Sequence, residues 1–187
     1  MLARAVRFGF AIAKGMVIGA AIVLCGHPIS AAGQAGLAVE LHYAPAENLE
    51  KIDAALIDSA RREIDLAAYV LTDWKIIDAL IRAADRGVAL RIYLDEGQAG
   101  LRPPAQVFRD LAATPGVSIK VSQDGTPLMH LKSYAIDGGV LRTGSANLSA
   151  SGLKRQDNDL IVVKSREAAQ GFKRQFEAIW RQGVDWK

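Results

Sequence analysis

From residue 47 onward, hydrophobic positions recur at two spacings, one helical and one alternating or continuous. Between Glu47 and Arg62, the residues Leu49, Ile52, Ala55, Leu56 and Ala60 fall near a helical repeat, with charges between them. Ile64 to Leu71 (IDLAAYVL) predicts a mostly buried strand. Thr72-Asp73 then offers a cap to a helix over Trp74 to Arg86, whose Ile77, Leu80, Ile81 and Ala84 share a face and which Gly87 ends. Val88 to Leu94 reads as a second strand. Asp95 to Pro104, with Gly97, Gly100 and two prolines, reads as a loop. A short helix follows over Ala105 to Ala113, then a strand over Val117 to Val121. Leu131 to Ile136 and Val140 to Thr143 flank Asp137-Gly138-Gly139, a hairpin signal. Leu160 to Val163 predicts another strand and Glu167 to Gln182 a closing amphipathic helix. Strands alternating with helices imply an α/β fold, a layered mixed sheet flanked by helices.

The first 32 residues follow none of these patterns. Arg4, Arg7 and Lys14 precede an unbroken apolar run from Gly15 to Cys25; His27-Pro28 then breaks any helix, and Ser30-Ala31-Ala32 supplies small residues for cleavage. That is the layout of a secretory signal peptide, which places the protein in the periplasm or outside the cell. The alternative is a retained membrane anchor, with Phe8 to Ala13 extending the apolar stretch across Lys14. Residues 33–187 are then one catalytic-sized domain.

Charge changes the picture less than its total suggests. The net charge is +3, from 23 basic and 20 acidic residues, and residues 1–32 hold three of those bases and no acid. The remainder carries 20 of each, so bulk basicity is no argument for a polyanionic partner. A single Cys excludes a disulfide framework and a thiolate metal cluster.

The chemistry concentrates in His130-Leu-Lys132 and Gly144-Ser145-Ala-Asn147. His130 and Lys132, two apart on a strand, project from one face, as do Ser145 and Asn147. If Gly138-Gly139 form a two-residue turn, Asp137 pairs with Val140, His130 faces Asn147 and Lys132 faces Ser145. A nucleophile or base, a cation, a hydroxyl and an amide then converge, a set suited to phosphate. Either half alone is commonplace. Six fixed positions together arise by accident with a probability on the order of 10⁻⁶ to 10⁻⁵.

The pattern H-x-K-x4-D-x6-G-S-x-N resembles the signature of the phospholipase D superfamily. Over roughly residues 38–187 the chain resembles its small single-motif members, the bacterial endonucleases related to mitochondrial cardiolipin hydrolase. The resemblance implies a phospholipase D-like fold and a homodimer in which two motifs build one site. It implies no metal and no cofactor. His130 would be the nucleophile in one subunit and the general acid in the other; Lys132 and Asn147 would hold the phosphate, with Ser145 in support. Asp137 is either catalytic or an anchor for the hairpin. The family also places an acidic residue about a dozen positions after the Asn to orient the His. Here Asp157 and Asp159 flank Asn158, and Asp159 is the preferred candidate.

Lys154 and Arg155 read either as guides for a polyanion or as a solvated loop, Trp74 as a packing residue or a base-stacking one, and His42 as incidental. The leading function is a phosphodiesterase acting on nucleic acid. The alternatives are a phospholipase D acting on phosphatidylcholine-type lipids, with membrane association if residues 1–32 are retained, and a catalytically inactive binding module.

Overall fold

The computed structural model describes residues 37–99 and 105–186, within a unit running from Ala35 to Lys187. The signal-peptide or anchor reading of residues 1–32 lies outside them. No helix among the described residues is long and apolar enough to cross a membrane.

In chain order the elements are β1 (Ala38–Ala44), α1 (Leu49–Ser59), β2 (Glu63–Ala68), α2 (Trp74–Asp85), β3 (Ala89–Leu94), α3 (Glu96–Ala99), α4 (Ala105–Ala113), β4 (Val117–Val121), β5 (Lys132–Ile136), β6 (Val140–Thr143), α5 (Ala150–Lys154), β7 (Asn158–Lys164), α6 (Arg166–Trp180) and β8 (Val184–Asp185). The helices start where side-chain acceptors meet their free N–H groups. Asn48 caps α1 and Asp73 caps α2, the latter accepting from Lys75 and Ile76 N–H at 3.0 and 3.3 Å. Ser149 caps α5 and Ser165 caps α6. Gly87, at φ +85°, closes α2 as expected.

The described strands form one mixed sheet in the order β1-β7-β6-β5-β2-β3-β4-β8. β2, β3 and β4 run parallel, and the other neighbours pair antiparallel. Alternate strand residues feed two cores. Ile64, Leu66, Ile92, Tyr134 and Val162 pack with residues of α1, α2, α4 and α5, whereas Ala67 and Tyr93 pack with Phe176 of α6 and Met129.

Four elements were not expected from the sequence: β1, α3, α5 and β8. In β1 it is the apolar Val39, Leu41 and Tyr43 that are exposed, as is Leu37 just before the strand, while Glu40 and His42 between them are half-buried. The loop expected over residues 95–104 contains the single turn α3.

The hairpin differs from expectation in a way that matters for the site. Ile136, not Asp137, pairs with Val140. Asp137 and Gly138 take the turn's two left-handed positions, at φ 52° and 64°, and the Gly139 N–H donates back to the Ile136 carbonyl at 3.0 Å. The turn is therefore centred on Asp-Gly, which matches the twist of the flanking strands better than a later turn would. A one-residue change of register moves every β6 side chain to the other face. Arg142, instead of Thr143, lies on the Lys132 and Tyr134 side, and Thr143 meets Ser133, hydroxyl to hydroxyl at 2.9 Å.

Candidate active site

The site forms where the carboxyl end of β2 meets the amino end of β5. Lys132 pairs with Ala68, and the Tyr69 N–H donates to the Leu131 carbonyl at 2.7 Å. This brings the Tyr69 ring to 4.5 Å from the imidazole of His130, centroid to centroid. The Lys132 ammonium lies 5.0 Å from the centre of the same ring and donates to the His130 carbonyl at 2.8 Å. His130 is exposed, while Lys132 is 6% exposed. Burial lowers the Lys132 pKa from its ordinary value. A buried cation held over an aromatic face, beside an accessible imidazole, is an arrangement suited to an anion.

Asn147 reaches this region by another route. Gly144, at φ +134°, ends β6; a Cβ there would lie 2.5 Å from the Asp159 carbonyl oxygen. The chain then runs beside the segment that follows Tyr69. Leu148 N–H donates to the Val70 carbonyl at 3.1 Å, and Thr72 and Asp73 N–H donate to the Leu148 carbonyl at 2.9 and 3.0 Å. Asn147 is thus carried alongside the Tyr69 segment, with its side-chain Oδ1 buried and lacking a hydrogen-bond partner. An unpaired buried amide oxygen is costly; toward an anion only the Nδ2 end of this side chain can donate.

The other expected site residues lie elsewhere. Asp137 sits at the far end of β5 from His130. Its carboxylate accepts from the backbone N–H groups of Arg61, Arg62 and Glu63 at 3.0, 2.8 and 3.0 Å. Burial acts to raise its pKa, but these three donors outweigh that and lower it. Asp137 anchors the hairpin to the start of β2, which corrects the catalytic reading.

Ser145 does not face Lys132. Its N–H donates to Asp159 Oδ1 at 3.0 Å, its hydroxyl donates to Asn158 Oδ1 at 3.1 Å, and that hydroxyl accepts from the Asp159 N–H at 2.9 Å. Hydrogen bonding from Ser145 holds the Asp159 carboxyl below its ordinary pKa. Asp157 is exposed, and no side-chain hydrogen bond from the described residues reaches the His130 imidazole, so neither Asp orients it here. The changed register and the bend at Gly144 explain the separation. Lys154, partly exposed, pairs with the buried Glu50 and lies 3.8 Å from Asp73. Trp74, 53% exposed, is not packed away. His42 pairs with Glu47 at 2.8 Å on β1.

Two hollows flank these groups. A groove of about 660 Å³ starts at His130 and is lined by Leu128, Met129, Leu131, Ile179 and other uncharged residues. A second, of about 520 Å³, is lined by Tyr43, Ser145 and Asp157 to Asp159. Among the described residues no group of three or more His, Cys, Asp or Glu is placed to share a metal ion.

A family model described as cardiolipin synthase, PLD-like domain, matches residues 54–180. The chain belongs to the phospholipase D superfamily. Among its relatives in that superfamily is a phospholipase D of Rickettsia felis, 34% identical over 131 residues, which span 70% of this chain and 63% of the relative. The chain thus matches somewhat under two thirds of that protein's length. A mitochondrial cardiolipin hydrolase of Chlamydomonas reinhardtii is 28% identical over 125 residues, 66% of this chain and 54% of the relative. The phospholipase D-like fold is seen in the phospholipase D family member Nuc of Salmonella typhimurium, at a TM-score of 0.75 and 25% identity, with 81% of this chain and 99% of Nuc covered. NucT from Helicobacter pylori superposes at a TM-score of 0.72 and 21% identity, with 81% and 100% covered.

Sequence reasoning missed Tyr69 as a site residue. Its signal was its place at the end of a buried strand, the carboxyl edge where ligands bind in open α/β sheets.

Proposed function

We propose that the chain is a metal-independent phosphodiesterase that works through a phosphohistidine at a site shared by two copies. The observation that carries this reading is the exposed His130 imidazole beside the buried Lys132 ammonium, both touching Tyr69. The His130 ring nitrogen attacks phosphorus and forms an N–P bond as the P–O bond to the leaving group breaks. The partner subunit's His130, protonated, gives that oxygen its proton. It then takes a proton from water, which attacks phosphorus and breaks the N–P bond, returning both rings to their starting states. Lys132 and Asn147 hold the non-bridging oxygens. One motif supplies one His, so the second comes from a second copy, and the exposed apolar row Leu37, Val39, Leu41 and Tyr43 supports a chain that associates.

Nucleic acid is the first substrate reading, supported by the resemblance to single-motif endonucleases and by superposition over nearly the whole of Nuc. A phospholipid is the second, favoured by the uncharged, largely apolar groove that starts at His130. Residues 1–32 support a periplasmic or secreted location, or a membrane-anchored one if they are retained. The test is to incubate the full chain in excess chelator with plasmid DNA, RNA and phosphatidylcholine vesicles. Hydrolysis of one of them in chelator, with phosphate trapped on His130 and lost in His130→Ala, is the expected result. Activity abolished by chelator and restored by Mg²⁺ or Zn²⁺ overturns the mechanism.

A further inference from the structure

Arg142 is fully buried, as is Asp53 on α1, and the two form a two-pronged ion pair. Arg142 Nε donates to Asp53 Oδ1 at 2.8 Å and one terminal nitrogen donates to Oδ2 at 2.7 Å. The Tyr134 hydroxyl adds a third donor to Asp53, at 2.7 Å. The remaining guanidinium capacity goes to two backbone carbonyls. The second terminal nitrogen donates to the Lys132 carbonyl at 2.6 Å, and both terminal nitrogens reach the Ala146 carbonyl at 3.3 Å.

Those carbonyls belong to Lys132 itself and to the residue before Asn147. The paired register of β5 with β6 stops at Tyr134 opposite Arg142, so Lys132 and Ala146 lie beyond it. The guanidinium spans that gap. Stability alone is a poor account of such a pair, because apolar residues of similar volume commonly replace a buried ion pair at little or no loss. A planar fork with five donors in fixed directions does something that an apolar side chain cannot: it sets the separation of two backbone segments.

We propose that Arg142, oriented by Asp53 and Tyr134, is a positioning residue that fixes Lys132 relative to Asn147. This rests on the phosphodiesterase reading, in which those two side chains hold one phosphate. Misplacement by about 1 Å can cost roughly a hundredfold in rate. The fork therefore acts on turnover without touching substrate.

The test uses the full chain in chelator with bis(4-nitrophenyl) phosphate as probe. Arg142→Lys keeps the charge and a bond to Asp53 but loses the fork; the double variant D53L/R142M replaces the pair with apolar groups. Arg91→Met, which breaks the Arg91–Asp65 pair elsewhere in the sheet, is the control for stability loss without loss of the fork. Per folded molecule, both Arg142 variants should lower kcat by at least about tenfold with KM within about threefold, and Arg91→Met should leave kcat unchanged. The rate of phosphohistidine formation should fall by the same factor as kcat. Wild-type kcat per folded molecule in Arg142→Lys overturns the proposal, even if the double variant fails to fold. An inert wild-type chain instead overturns the phosphodiesterase reading, so the two failures are distinct.

Discussion

Lys132 is placed so that its charge is costly until an anion arrives. Burial favours the neutral amine, and its pKa is lowered accordingly. The cation is therefore lost at a lower pH than on an exposed lysine. On the alkaline side, KM for a phosphodiester should rise before an ordinary lysine would titrate, and a pH series of initial rates checks this. Lys132→Ala should lower kcat/KM by about 10²- to 10³-fold, roughly 3–4 kcal/mol of transition-state stabilisation. Asp137 acts on folding instead. Its pKa is lowered in the fold because three backbone N–H groups outweigh its burial. The stability it contributes is thus present above its unfolded pKa and lost as pH falls through the folded value. Asp137→Asn keeps a residue that tolerates the left-handed turn but leaves one carbonyl oxygen for three donors. It should lose about 1–3 kcal/mol in urea unfolding near neutral pH, less in acid, with kcat per folded molecule unchanged.

At the scale of elements, the helix α5 holds the Asn147 segment by close backbone approach. A Cβ on Gly152 would sit 2.6 Å from the Asn147 carbonyl oxygen and 3.2 Å from its Cβ. Gly152 has an ordinary backbone conformation, so alanine at an uncrowded helical site would stabilise by roughly 0.5–1 kcal/mol. Here the sign reverses. Gly152→Ala should destabilise by about 1–3 kcal/mol and displace Asn147, lowering kcat by tenfold or more while the fold persists. Circular dichroism and steady-state kinetics on one preparation separate the two effects. At the other end of β5 the hairpin is tied by Asp137 to the start of β2, and the paired register turns Arg142 inward.

At the scale of the whole molecule, the proposed mechanism takes its nucleophile from one motif and its acid from a second copy related by twofold symmetry. A mixed dimer of wild-type and His130→Ala chains keeps one His and should be nearly inactive. When equal amounts are unfolded and refolded together, activity should fall to about a quarter of that of the same total of wild-type chain; independent sites would leave about half. Across a titration the curve should be quadratic in the wild-type fraction, and a straight line removes the shared site.

Local patterns determined the run of elements from α1 to α6 apart from α3 and α5, the cap at Asp73 and the stop at Gly87. These depend on periodicities of two and 3.6 and on single-residue backbone preferences, which neighbouring residues set. Membership of the phospholipase D superfamily was equally legible, because the motif that carries the resemblance needs only residue types at fixed spacing. What tertiary structure decided came from contacts between residues far apart in the chain. Backbone N–H groups at Arg61 to Glu63 captured Asp137 and placed the turn one residue earlier than the glycines alone suggested. That shift put Arg142 in the core opposite Asp53, 89 positions away, and left Ser145 with Asn158 and Asp159. Tyr69 became a neighbour of His130 only because β2 and β5 pair. Spacing along the chain carries a strand's own alternation, whereas register between strands is set by whichever long-range donors and acceptors satisfy one another.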